Sequence, residues 1–146
     1  MDTYEQLVQT YLTVVERCAV IPQFPVLFDE HGQPWTEGHT VSWSAYPDFL
    51  AVDFRNRQAQ VQVVEVTKAL KPKDLAKNLT AHRGRIERYI HWFMNDTLPI
   101  CWRYFVRDVN KARLETQLGI IGKSEELKWK VIALEDVFDH LKRIMP

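Results

Sequence analysis

The chain has 146 residues, of which 46% are hydrophobic and 26% charged, with 19 basic and 19 acidic side chains balancing to zero net charge. That is the make-up of one globular domain with room for a real core, and it excludes a disordered chain or an indiscriminate polycation. No apolar run approaches bilayer-spanning length, so no membrane partner is expected.

The first predicted element is an amphipathic helix over Asp2 to Ala19. Tyr4, Leu7, Val8, Tyr11, Val15 and Cys18 form its apolar stripe, and Glu5 and Glu16 lie towards the opposite, solvated side. It is expected to stop at Ile21-Pro22, because proline disfavours helix in the residue before it. The acidic start, MDTYEQ, lacks the basic-then-apolar pattern of a secretory signal. Cys18 and Cys101 sit in apolar contexts without metal-ligand spacing, so a reduced, cytoplasmic protein is expected.

Gln23 to His39 is irregular, punctuated by Pro25, Gly32, Pro34 and Gly38, with a short strand expected at Val26-Leu27-Phe28. His31 and His39 read as solvated loop histidines. Thr40 to Ala45 reads as the start of a sheet, with Trp35 and Trp43 covering its edge.

The informative stretch is Tyr46 to Lys68, YPDFLAVDFRNRQAQVQVVEVTK. Two apolar runs, Phe49 to Phe54 and Val61 to Val66, flank a polar segment, the pattern of a β-hairpin. A loop of even length centred on Asn56-Arg57 sets Val52 opposite Val61, Leu50 opposite Val63 and Asp48 opposite Glu65. Directly opposed residues share a face, with Cβ atoms about 4.5–5.5 Å apart. Two carboxylates then sit side by side at the end of an apolar surface, where they resist joint ionisation unless a proton or cation intervenes. A divalent ion with oxygen ligands satisfies such a pair. An odd loop would put them on opposite faces.

Lys71-Pro72-Lys73-Asp74 opens a long helix reaching about Met94, with Pro72 suited to its first turn. Leu75, Leu79, Ile86, Ile90 and Phe93 form its core stripe. Beside that stripe runs a polar row, Asn78, His82, Arg85 and Tyr89, on one flank. Arg83 and Arg88 read individually as surface basics. Leu98 to Arg107 is a strand dense in aromatic and β-branched residues, joined to the hairpin through the helix as crossover. A short helix is expected over Lys111 to Leu118, capped by Asn110 and ended by Gly119. A last strand is expected over Trp129 to Leu134, then a closing helix over Glu135 to Ile144 with Val137, Phe138, Leu141 and Ile144 inward.

Pro47-Asp48, an apolar strand, then Glu65-Val66 closing a second one resembles the PD-(D/E)XK nuclease superfamily. The resemblance implies a single domain over residues 1–146, α/β in class, with a restriction-endonuclease-like αβββαβ core and a mixed sheet flanked by helices. It implies that Asp48, Glu65 and the Val66 carbonyl hold Mg²⁺, or Mn²⁺, for a metal-dependent endonuclease hydrolysing nucleic-acid phosphodiester bonds, in DNA processing or defence. The superfamily's lysine falls two positions beyond the glutamate, where this chain has Thr67; Lys68 comes one residue late. Strand alternation points Lys68 away from the Glu65 face unless a β-bulge at Thr67 re-aims it. Lys71, Lys73 or Lys77 could supply the charge instead. The family's first-helix glutamate maps weakly onto Glu16. The row Asn78, His82, Arg85 and Tyr89 resembles the polar row that some subgroups direct towards phosphate. The implied partner is nucleic acid, DNA ahead of RNA, with a homodimer or larger complex as an option. Thr67 supports the alternative of a catalytically inactive nuclease-fold module that binds nucleic acid or protein.

Overall fold

The computed structural model of the protein describes residues 2–24, 26, 47–55, 58–68, 71–95, 97–124 and 126–144. The expectations for Leu27-Phe28, Thr40 to Ala45, His31, His39, Trp35 and Trp43, and the turn at Asn56-Arg57, lie outside the described residues.

The chain begins with helix α1, Thr3–Thr10, continued by a π-helical turn, Tyr11–Val15. It ends well before Pro22. Arg17 takes a positive φ of 55°, reversing the chain, and Ala19–Pro22 becomes strand β1 rather than the helix's last turn. Asp2 and Glu5 cap the start reciprocally. The Glu5 N–H donates to Asp2 Oδ1 at 2.8 Å and the Asp2 N–H to Glu5 Oε2 at 3.2 Å, satisfying two of the orphan donors of the first turn.

Strand β2, Phe49–Asp53, and strand β3, Gln60–Thr67, form the expected antiparallel pair. Leu50 pairs with Val63 and Val52 with Val61, the register counted through Asn56-Arg57. Val61 to Val64 are buried on both sides of the sheet, which explains their near-continuous apolar run. Helix α2, Pro72–Phe93, carries the chain back so that β4, Ile100–Val106, pairs parallel to β3. Its 22 residues span about 33 Å, at about 1.5 Å each, enough to return along an eight-residue strand of about 26 Å. Helix α3, Asp108–Ser124, leads to β5, Trp129–Ala133, parallel to β4, and α4, Leu134–Ile144, closes the chain.

The sheet order is β1-β2-β3-β4-β5, antiparallel on one side of β3 and parallel on the other, and both faces are covered. Leu50, Val63, Tyr104 and Val131 pack with Leu75, Leu79, Ile86 and Ile90 of α2 and Leu114 and Leu118 of α3. Phe49, Val64, Val66 and Phe105 pack on the other side with Val8, Leu12, Leu134, Val137 and Leu141. Each fully buried Leu or Phe contributes about 1.5–3 kcal/mol. The protein is thus α/β, a mixed five-stranded sheet between helical layers.

Three helical expectations are corrected. Helix α3 passes through Gly119 and Gly122 instead of ending there, because Leu114 and Leu118 are fully buried and a glycine costs only about 1 kcal/mol. Its start is held by Glu135, whose carboxylate accepts the Asp108 N–H at 3.0 Å, rather than by Asn110. Phe93 is 56% exposed, and Phe138 and Ile144 are 48% exposed, so none is a core anchor; α4 buries Val137 and Leu141, with Leu134 at its start. Cys18 is buried and Cys101 only partly so.

Candidate functional site

At the carboxyl end of β3, one residue beyond the last bridged pair of the hairpin, Asp48 meets Glu65. The Asp48 backbone is anchored by its carbonyl, which accepts the Gln23 N–H at 2.9 Å. Its side chain turns inward, and Oδ2 accepts the Val66 N–H at 2.7 Å. The Asp48 and Glu65 carboxyls are hydrogen-bonded to each other, so the pair shares a proton. Burial pushes Asp48 up to about 6, against the lowering effect of the Val66 N–H, and the nearby Glu5 charge raises it further. Burial, then the Asp48 charge, drives Glu65 well above the carboxylate range. No cation figures among the influences on Glu65. Tyr104, paired with Glu65 across the parallel ladder, has its phenol pushed far up by burial and then by the Glu65 charge.

A third acid joins them. Glu5, from the first turn of α1, hydrogen-bonds to the Asp48 side chain. Sequence patterning puts Glu5 on the solvated side of its helix. The signal that could have located it is Asp2-x-x-Glu5, which fixes where the helix starts and so puts Glu5 at its end. Glu16, by contrast, is neither solvated nor near this cluster. It is 7% exposed, and accepts from Arg103 Nη1 at 2.8 Å and Arg55 Nη2 at 3.2 Å.

Those contacts form a separate buried polar network under the opposite end of the hairpin. Arg103, 3% exposed, also donates to Gln62 Oε1 at 2.7 Å and lies over the Phe105 ring at 5.2 Å, while its Nε has no hydrogen-bond partner. Arg55 grips Asp53 at 2.7 Å and holds its carboxyl below the usual range. Burial and then the charges of Glu16 and Asp53 push the Cys18 thiol up to about 11, leaving it an inert packing group.

Around the lysine slot, β3 pairs with β4 without interruption from Val61 to Thr67, so no bulge re-aims Lys68. Thr67 is half-buried on the Glu65 side by alternation. Lys68 lies on the α1 side, its ammonium 5.0 Å from the centroid of the Tyr4 ring. Lys71, Lys73 and Lys77 are exposed at the start of α2.

The polar row of α2 divides. Asn78 is exposed and His82 half-buried. Arg85 is 7% exposed, with Nη2 3.2 Å from His82 Nδ1. Burial and the Arg85 charge lower the imidazole below its usual value. Tyr89 belongs to an aromatic cluster, its ring 5.5 Å from Phe24 and stacked 6.0 Å from Phe93. Tyr89 is therefore a core residue of this face.

Asp48 and Glu65, with the Val66 carbonyl next in the strand, offer hard oxygen donors of the kind Mg²⁺ and Mn²⁺ take. The proton they share occupies the place a cation would fill, so the donor set fits the chemistry. Among the described residues, no group of three or more His, Cys, Asp or Glu side chains is spread to hold a metal ion as they stand. The three acids are closed on one another. No helix among the described residues is long and apolar enough to cross a membrane. Compared with protein-family models, curated proteins and solved structures, the chain matches none.

Proposed function

We propose that the protein is a metal-dependent nuclease acting on nucleic-acid phosphodiester bonds. The observation that carries this reading is the Asp48–Glu65 pair, two half-buried acids hydrogen-bonded to each other at the carboxyl end of a sheet strand. Such a pair is electrostatically costly and brings no stabilising partner of its own. When bound, a divalent cation supplies charge neutralisation at the phosphate and lowers the pKa of a water.

Asp48, Glu65 and the Val66 carbonyl would hold that ion. The Val66 N–H fixes the Asp48 carboxylate, and Glu5 sits behind it, where it biases the pair's protonation. His82 and Arg85 lie on the helix covering this face of the sheet and are the candidates for phosphate contact. Asn78 is the exposed member of that row. The nuclease proposal keeps DNA ahead of RNA as substrate.

The test is cleavage of labelled DNA and RNA with Mg²⁺ or Mn²⁺. Glu65→Ala is expected to abolish it and Asp48→Ala to reduce it by orders of magnitude. Activity unchanged in both variants would sink the mechanism.

A second reading, a module on this fold that binds nucleic acid or protein without hydrolysis, is favoured by one specific observation. Thr67 stands in the lysine slot, and Lys68 is directed over Tyr4 instead. Retained binding with no cleavage of any substrate would select it.

A further inference from the structure

Beside the acidic cluster, at the same end of the sheet, a groove of about 710 Å³ opens between α1 and α4. Its walls are Tyr4, Leu7, Leu134 and Phe138, with Arg107 at the end of β4. The volume lies within the about 300–1,000 Å³ of small-molecule pockets, and the lining is mainly apolar with a few charged groups, as such pockets are. Neither the carboxylate pair nor the α2 row contributes to it.

The charges around it favour an anion. Arg107 spends only Nε, on Glu135 at a long 3.4 Å, and its two terminal nitrogens have no partner among the described residues. That fork is the group suited to bidentate contact with a phosphate. Lys68 lies 5.0 Å from the Tyr4 ring centroid and Lys142 5.4 Å from that of Phe138, neither with a carboxylate partner among the described residues. Two acids line the groove. Glu135 is occupied by the Asp108 N–H and Arg107, and Asp139 is the remaining one. Three cations against two acids leave the groove with an excess of positive charge. Two aromatic walls under these cations suit a flat ring carrying an anionic arm.

We propose that the α1–α4 groove binds one nucleotide, its base against Tyr4 and Phe138 and its phosphate on the Arg107 fork. In the intact protein this nucleotide belongs to a single strand that continues to the Asp48–Glu65 pair. That last step rests on the nucleic-acid reading above. Continuing the Thr67↔Val106 register puts Arg107 level with Lys68, three residues beyond Glu65. That is about 10 Å along the strands and about 5 Å across, so a short strand crossing the carboxyl edge of the sheet reaches both. A stacked base, unlike one paired in a duplex, exposes the ring face that such walls need.

The experiment is a fluorescence-anisotropy titration of the Glu65→Gln protein, in EDTA, with a short labelled oligothymidylate. Hydrolysis cannot intervene, so failure of the nuclease reading and failure of the groove are separable. Saturable binding is expected, weakened roughly ten-fold or more by Phe138→Ala and similarly by Arg107→Gln. Phe138 is 48% exposed and Arg107 exposed, so both variants are expected to fold, with circular dichroism as the control. Duplex DNA should compete poorly. Thymidine monophosphate competing as well as the oligomer would support the base-and-phosphate site and overturn its assignment to a strand. Inorganic phosphate competing as well as either, or both variants binding like the parent, would overturn the proposal.

Discussion

Replacing Asp48 by Asn removes one charge from the pair while keeping a side-chain oxygen to accept the Val66 N–H. In the folded protein the Asp48 carboxyl is raised from 3.8 to about 6. The folded state therefore holds its proton more tightly than the unfolded chain does, so stability falls as pH rises through this interval. The full benefit of protonation is present below about pH 4 and is lost by about pH 7. At about 1.36 kcal/mol per pKa unit, the displacement corresponds to roughly 3 kcal/mol at neutral pH. Because Glu65 shares the proton, part of that belongs to the pair, and about 1–3 kcal/mol is expected for the single change. Asp48→Asn should thus raise the metal-free stability at pH 7.5, with a Tm increase of about 2–4 °C per kcal/mol. The gain should fade between pH 6 and pH 4. Urea unfolding of parent and variant at several pH values, in EDTA, measures it. Mg²⁺ should then stabilise the parent more than the variant, since only the parent retains both charges for it to bridge. A variant less stable than the parent at every pH, or a gain independent of pH, would refute the account of two acids held together against their repulsion.

Thr67→Lys puts an ammonium on the Glu65 side of β3, and it is expected to raise metal-dependent cleavage about ten-fold or more; unchanged cleavage in a folded variant would mean that the slot beside Glu65 does not face the reacting phosphate. Arg103→Met strands Glu16 in the interior with only the half-exposed Arg55 as partner, and should cost about 3 kcal/mol in urea unfolding. The double variant with Glu16→Gln should recover part of that; a single-variant loss below about 1 kcal/mol would show that the network is not holding α1 to the sheet.

Local pattern in the sequence determined the hairpin, its register and the pairing of Asp48 with Glu65. Strand alternation has a strict period of two, and one even loop fixes every cross-strand partner at once. The same arithmetic showed that Lys68 leaves the Glu65 side. The long α2 and the parallel return of β4 were equally legible, because a parallel pair needs a crossover of that length. What the sequence could not decide depended on contacts between distant segments. Glu16 looks solvated on a helical wheel, yet a π-helical turn and Arg103, 87 residues away, draw it into the interior. Glu5 looks solvated too, until the placement of α1 against the end of β3 brings it to Asp48. Helix α3 runs through Gly119 because Leu114 and Leu118 find a core, which outweighs a propensity of about 1 kcal/mol. The groove between α1 and α4 has no trace in the sequence at all: its walls come from residues 3–7, 107 and 134–139, which only the packing of both helices against one face of the sheet brings together.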